Sequence, residues 1–511
     1  MATPSEKLAQ SLEMLRELQH QGRGAIRSVD LPRHHRERLV ANGFLEEVIK
    51  GWYVPSRPDM APGESTAWYA SFWDFCTAYL NSRFGTNWCL SPEQSISLHV
   101  GNRTVPAQTL VRSPIAKNNI TNLPHGTSLF DVRAIIPKVE DIEEKDGVRL
   151  YSVTAALIAC SPTFFISNPT DTRAALAMVG DSSDLLRPLL EGGHSTVASR
   201  MVGAMRNIGR KQMADEILRT MRAAGYDVRE NDPFATIIPV ILSPRERSPY
   251  VNRLKMMWQQ MRGPICEDFP LAPSQPVAVD EYLQRVEDIY VTDAYHSLSI
   301  EGYRVSPELI ERVRGGKWNP GANAVDRDHR NAMAARGYWQ AYMSVRESIK
   351  RVLGNENPGD VADEDHGNWY REMFAPNVTA GLLRPADLAG YRDGQVFIRR
   401  ARHVPPSCEA VRDLMPAFFD LLRGEENPFV RVVLGHFVFV YIHPYTDGNG
   451  RIGRFLMNLM LAAGGYPWTV VPVEERDAYM AALEAASVHQ NIVPFHQFLS
   501  RLVNQGLNKT T

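Results

Sequence analysis

The sequence predicts a multidomain protein: a winged helix-turn-helix first, an α/β region in the middle, and an all-helical domain last. Three observations predict it. A chain of 511 residues is longer than one core organises, so roughly two to four domains are expected. Residues 1–58 read helix, strand, helix, hairpin, and a Pro-rich stretch, Pro55 to Gly63, follows as a linker. From about residue 246 helical periodicity takes over, which places domains at 1–58, 64–245 and 250–503.

Composition narrows the class. Hydrophobic residues make up 44% and charged residues 22%, an ordinary soluble mixture. The net charge of −2 excludes a polycation, so any nucleic-acid contact has to be local. Cys76, Cys89, Cys160, Cys266 and Cys408 are scattered, odd in number and without C-x-x-C spacing, which argues against a disulfide framework or a zinc site. No signal pattern follows the polar start, and the apolar run at 432–442 is short and contains His436. The expectation is a reduced, cytoplasmic protein without membrane contact.

In the first region, Leu8, Leu12, Leu15 and Leu18 mark a helix over 7–20 that ends at Gly22-Arg-Gly24. Ala25-Ile26 is strand-like, a second helix runs from about Pro32 to Ala41, and 44–54 folds as a hairpin turning at Lys50-Gly51. Five arginines stand against Asp30 and Glu37 between residues 20 and 43, a local balance of +3. DNA phosphates call for such a patch, which makes Arg33, Arg36 and Arg38 the expected DNA contacts. Gly43-Phe-Leu-Glu-Glu-Val and Gly51-Trp-Tyr-Val-Pro55 resemble the N-terminal module of AbiEi-type antitoxins.

In the middle region, Trp68 to Leu80 reads as an aromatic-rich helix. Short strands are expected at His99-Val-Gly-Asn, Thr109-Leu-Val-Arg and Val132–Pro137, then helices at 152–160, 172–190 and 196–225. The last carries Arg200, Arg206, Arg210, Lys211, Arg219 and Arg222, read as a solvated face. The region holds no chemical constellation; its likeness is to the rest of an AbiEi-type antitoxin.

The C-terminal region should begin a helix at Pro273-Ser-Gln-Pro276, with Val279, Tyr282, Leu283, Val286, Ile289 and Tyr290 on one stripe, reaching Ser297, Glu301 and Gly302. A polar loop covers 315–330, helices follow at 328–352 and 361–374, and Gly394–Ile398 with Arg402–Pro406 reads as a short hairpin. His329 and His366 sit in no ligand-spaced cluster.

The chemistry concentrates in His443-Pro-Tyr-Thr-Asp-Gly-Asn-Gly-Arg-Ile-Gly-Arg454, between two apolar segments. A glycine-rich turn opening a helix presents unpaired N–H groups and the positive end of the dipole, which suits phosphates. Arg451 and Arg454 are three apart, so both project from nearly one face and can clamp phosphate oxygens. Asp447 is placed to hold Mg²⁺ arriving with a nucleotide, and His443 is a base near neutral pH. Gly448-x-Gly450-x-x-Gly453, with Glu474 beyond it, also fits the dinucleotide fingerprint. That reading leaves His443, Asp447, Arg451 and Arg454 without a purpose.

The stretch resembles the Fic family motif H-P-F-x-D/E-G-N-G-R-x-x-R, with eight identities in twelve positions and Tyr445 in place of Phe. The resemblance covers about 250 to 503. It implies transfer of AMP from ATP, with Mg²⁺, to a Ser, Thr or Tyr hydroxyl of a target protein or of the chain itself. His443 would act as base, Gly448, Asn449, Gly450, Arg451 and Arg454 would bind the nucleotide, and Asp447 would hold the metal. Ser297, Glu301 and Gly302 match the family's inhibitory helix, S/T-x-x-x-E-G/N, which implies that Glu301 pairs with Arg454. The 394–406 hairpin corresponds to the family's flap, which pairs with a target strand. The competing reading is a DNA-binding regulator, or a toxin–antitoxin protein with both halves on one chain, whose Fic core serves as a sensor. A homodimer is carried as a further expectation.

Overall fold

The computed structural model describes residues 3–21, 23–58, 65–234, 248–266, 270–272, 278–317 and 329–510, and the chain is mostly helical. It divides into two compact units, Met1–Arg253 with Phe397–Val404, and Leu254–Val396 with Pro405–Thr511.

The first unit opens with helix Pro4–His20. A capping box starts it: Thr3 Oγ1 accepts the Glu6 N–H, and Glu6 Oε2 accepts the Thr3 N–H at 2.7 Å. Strand Ile26–Arg27, helix Arg33–Ala41 and strands Leu45–Ile49 and Trp52–Pro55 follow. The three strands are antiparallel, with Trp52–Pro55 in the middle. Gly51 takes the positive φ that the hairpin turn requires. Leu15, Leu18, Ile26, Leu31, Leu39 and Leu45 fill a small core, so the leucine spacing of the first helix is spent on packing.

Next come helix Thr66–Phe84 and a four-stranded mixed sheet. Gln108–Ser113 lies parallel to Ser128–Arg133, and Cys89–Leu90 and Asn119–Asn122 are antiparallel to their neighbours. Helices run from Val153–Ala159 to Lys211–Ala223. The region combines these helices with a small sheet, and four expected elements are corrected locally. His99 ends helix Pro92–His99, its Nε2 2.7 Å from the Tyr151 carbonyl, so no strand forms there. Only Val132 and Arg133 of the Val132–Pro137 segment lie in a strand. The helix expected over 172–190 is two, Pro169–Met178 and Ser182–Gly192, because Asp181 caps the second. The one expected over 196–225 is also two, Ser195–Asn207 and Lys211–Ala223, with Gly209 at positive φ between them. The solvated face expected for their basic residues holds only in part: Lys211, Arg219 and Arg222 are exposed. Arg200 is buried and donates to the Cys160 carbonyl, Arg206 pairs with Asp215 and Glu230, and Arg222 donates to Val228.

The second unit is helical, as expected. Its long helices are Val279–Ile300, His329–Leu353, Pro358–Thr379, Cys408–Gly424, Pro428–Ile442, Asn449–Ala463, Arg476–His489 and Val493–Thr510; Cys408–Gly424, Pro428–Ile442 and the short Pro307–Arg314 were unforeseen. Helices Pro428–Ile442 and Asn449–Ala463 are buried over nearly their whole length. The expected helix start at Pro273–Pro276 and the Asn319-Pro320-Gly321 loop lie outside the described residues. The hairpin expected over 394–406 does not form. Arg400 takes a positive φ, the Ala401 N–H bonds Ile398, and no strand is present there. The Arg402 carbonyl instead accepts the Val105 N–H at 3.1 Å while its guanidinium donates back to the Val105 carbonyl at 2.8 Å. Val404 is buried in the first unit's core. Backbone groups with these partners have no call for a ladder. Among the described residues no helix is long and apolar enough to cross a membrane.

Close helix contact in the second unit rests on glycine. A Cβ on Gly337 would stand 1.9 Å from the Met373 carbonyl oxygen, a backbone atom that cannot swing away. Gly337→Ala should therefore lower stability by about 1–3 kcal/mol through overpacking. Gly354, at a helix end, should tolerate alanine better. Equal thermal midpoints for Gly337→Ala and the unaltered protein would refute the packing argument.

Candidate active site

Helix Pro428–Ile442 delivers His443 at its C-terminal end, in a left-handed conformation with φ 54° and ψ 60°. That backbone turns the ring back on its own helix, and Nδ1 lies 3.1 Å from the Val440 carbonyl. A carbonyl only accepts, so Nδ1 carries the hydrogen and Nε2 keeps its lone pair. Burial pushes the imidazole down to about 4, against the raising effect of the Val440 bond; Arg392 lowers it further. The ring is thus neutral at physiological pH and its base form is fully populated. The Arg392 guanidinium also binds the His443 carbonyl at 2.8 Å, and its N–H binds the Pro444 carbonyl.

The turn after His443 is closed by a side chain. Asn449 Oδ1 accepts the Tyr445 N–H at 2.9 Å, and Asn449 Nδ2 donates to the Tyr445 carbonyl at 2.8 Å. The Tyr445 ring is buried and stacks on Tyr370, centroids 3.9 Å apart and planes within 7°. Gly448 then caps the next helix at φ 82°, where a Cβ would meet the Phe374 ring at 2.8 Å. The Gly448 N–H is held by Asp447 Oδ1. The first intrahelical bond runs from Ile452 to Gly448, so the N–H groups of Asn449, Gly450 and Arg451 point off the helix end. What Asn449 can offer a ligand is this N–H, since its amide is taken up by the turn.

Both arginines are buried in the cradle. Arg454 donates from Nε to Ser297 Oγ at 2.9 Å and from Nη2 to the Ser297 carbonyl and to Glu301 Oε1, at 3.0 and 2.7 Å. Its Nη1 is buried with no partner, as are Nε and Nη2 of Arg451. Three orphaned cationic donors beside a helix N-terminus suit a multiply charged anion. The Arg451 guanidinium carbon lies over the Tyr303 ring and over the Phe374 ring, at 5.2 and 5.1 Å, and its Nη2 is 3.4 Å from Asp447 Oδ2 without hydrogen-bond geometry.

Glu301 stands on the cradle itself. A Cβ on Gly450 would lie 2.3 Å from its Oε1. Burial would raise this carboxyl, but Arg454 and then Arg451 hold it below the usual carboxylate range. Glu301 is the C-cap of helix Val279–Ile300. Gly302 follows at φ 85°, its N–H on the Ser299 carbonyl and that of Tyr303 on the Leu298 carbonyl, a Schellman ending. Nothing lies within 4 Å of a Cβ on Gly302, so glycine serves the backbone conformation and not space.

The sequence-predicted residues His443, Asp447, Gly448, Asn449, Gly450, Arg451, Arg454, Ser297, Glu301 and Gly302 thus come together in the second unit. Asp293, Tyr303 and Phe374 were missed. Asp293 is buried one turn before Ser297 and accepts from Tyr338 at 2.6 Å and Trp468 at 3.0 Å; burial pushes its carboxyl up to about 6. Its spacing of four from Ser297 and eight from Glu301 was the available signal. In the first unit the three arginines do not act as a set. Arg33 is exposed and pairs with Glu37. Arg36 donates to the Ser28 carbonyl under cover of Tyr53, and Arg38 donates to Lys7 and Ser11.

Residues 366–461 match the Fic/DOC family. The C-terminal region carries a Fic domain. A protein named protein adenylyltransferase Fic from Nematostella vectensis is 27% identical over 274 residues, which is 52% of this chain and 59% of that protein. Protein adenylyltransferase fic-1 of Caenorhabditis elegans is 26% identical over 221 residues, 42% of this chain and 40% of its own length. The chain therefore spans about half the length of these relatives. Among solved structures, Fic-1 (residues 134–508) from C. elegans aligns at TM-score 0.36 and 20% identity over 63% of this chain and 91% of that one. A Fic-domain signalling protein from Bacteroides thetaiotaomicron aligns at 0.35 and 18%, over 50% of this chain and 94% of that one.

The Fic site fits a magnesium ion brought by a nucleotide. Among the described residues no three His, Cys, Asp or Glu gather as a cage. Such an ion asks only for one or two carboxylates beside the phosphates. Asp447 is a 64% exposed carboxylate at the cradle's edge.

His443 should titrate near pH 4 and not near 6.5, with the hydrogen of its neutral form on Nδ1. NMR of the labelled imidazole reads both. A midpoint above 6, or a neutral ring protonated on Nε2, would contradict the geometry.

Proposed function

We propose that the Fic domain is a protein adenylyltransferase, transferring AMP from ATP to a Ser, Thr or Tyr hydroxyl of a target protein or of itself. The observation that carries this is the unprotonated Nε2 of His443 beside a cradle of outward N–H groups and orphaned arginine donors. Transfer needs both a base for the hydroxyl and cations for a polyphosphate. His443 Nε2 takes the hydroxyl proton as the oxygen bonds to the α-phosphorus. The bond from the α-phosphorus to its bridging oxygen breaks, and pyrophosphate leaves with the electron pair. Asn449, Gly450 and Arg451 N–H groups, Arg451 and Arg454 hold the phosphates. Asp447 would hold magnesium, which when bound neutralises phosphate charge.

Glu301 restrains this activity. Its carboxylate occupies the space against Gly450 and engages Arg454 where a phosphate must go. Its side chain is still 30% exposed, so it can leave without opening the core. A charge-assisted pair of this kind is worth roughly 1.5–3 kcal/mol, a factor on the order of ten to a hundred.

Auto-labelling with radioactive ATP tests both claims. Glu301→Gly should label on the order of ten- to a hundredfold faster than the unaltered protein. The double variant Glu301→Gly/His443→Ala should bind ATP but not transfer AMP. Transfer by the double variant would remove His443 as the base. Equal rates for folded Glu301→Gly and unaltered protein, at saturating ATP, would remove Glu301 as the restraint.

For the first unit the reading is DNA binding through its N-terminal module. The helix–strand–helix–hairpin order and the exposed Arg33 support it. Because Arg36 and Arg38 are tied internally, Arg33 should dominate. Arg33→Ala should weaken retention of promoter DNA in a gel shift, and retention should fall steeply with salt. No retention at low salt would end this reading.

A further inference from the structure

Tyr303 belongs to neither sequence motif, yet it touches the site. The Schellman ending at Gly302 turns the chain so that the Tyr303 ring lies 5.2 Å from the Arg451 guanidinium, with Phe374 5.1 Å from the same group. Phe374 and Arg451 are buried, and Tyr303 is half-buried. Arg330, exposed, lies 5.5 Å from the Tyr303 ring.

A guanidinium has two weakly hydrated faces and five donors in its plane. Rings prefer the faces, and anions need the plane. With aromatic partners on Arg451, the in-plane hydrogens on Nε and Nη2 remain, and both nitrogens are buried without an acceptor. Hydrogen bonds do not fix this orientation, because Asp447 approaches Nη2 without proper geometry. The rings fix it.

We propose that Tyr303 is a positioning residue for nucleotide phosphates: with Phe374 it holds the Arg451 guanidinium so that its edge donors face the phosphate cradle. This rests on the nucleotide-site reading above. It gives helix Val279–Ile300 and its ending two opposed contributions, a carboxylate that excludes phosphate and a ring that prepares for it. Displacing the whole helix end is then not equivalent to removing Glu301.

The test uses the full chain in the Glu301→Gly background, with Tyr303→Phe and Tyr303→Leu. Leucine retains bulk and apolar packing but has no π-face; phenylalanine retains the face. Calorimetry with ATP and magnesium should show Tyr303→Leu binding about tenfold more weakly, and Tyr303→Phe within about twofold of the parent. Adenosine, which lacks the phosphates, should bind all three alike. In the labelling assay the KM for ATP should rise about tenfold in Tyr303→Leu with kcat within about twofold. Equal ATP affinity for the leucine and phenylalanine variants overturns the proposal. So does an equal loss of adenosine affinity, because the ring would then serve the base or the fold. If the folded Glu301→Gly parent binds adenosine but gains nothing from the phosphates of ATP, the nucleotide-site reading itself fails, and the proposal with it.

Discussion

The side-chain amide of Asn449 accepts the Tyr445 N–H and returns a hydrogen bond to the Tyr445 carbonyl, and the site's other groups take their places from that closure. A turn held at both ends by one residue has little freedom left. It sets His443 at the end of one helix and the free N–H groups at the start of the next. The stacked ring of Tyr445 on Tyr370 fastens the turn to helix Pro358–Thr379. Tyrosine in place of the family's phenylalanine keeps that stack.

The charges around the turn form a set that is balanced without a ligand. Arg454 is matched by Glu301, and Arg451 is close to Asp447. His443 adds no charge, because burial keeps it neutral. On the function proposed above, a polyphosphate entering this set would compete with Glu301 for one cation, and restraint and recognition would use the same buried arginine.

The second unit was the more legible half. Its helices follow from apolar spacing at 3.6 residues, and its site residues are close in sequence, so local spacing carried the geometry. Ser297 and Glu301 lie far away in sequence and were legible only through resemblance. Tyr303 and Phe374 had no signal, because a ring on a guanidinium is a tertiary contact. In the first unit, strands such as Cys89–Leu90 are short and paired across distant residues, which periodicity does not report. Arg36 and Arg38 looked like a free basic patch for the same reason: composition counts charges but not the carbonyls they bind. The 394–406 hairpin failed because Arg402 bonds Val105, far back in the chain.

That last bond bears on how the protein is made. Val404 belongs to the core that also holds Trp68, Phe72 and Val105, so the first unit is not finished when residue 253 leaves the ribosome. At roughly 5–20 residues per second, the missing strip arrives on the order of ten seconds later. During that interval the sheet and its aromatic helix wait with the places of Phe397 and Val404 uncovered. The N-terminal unit is begun first and completed late, which makes the order of synthesis part of its folding problem.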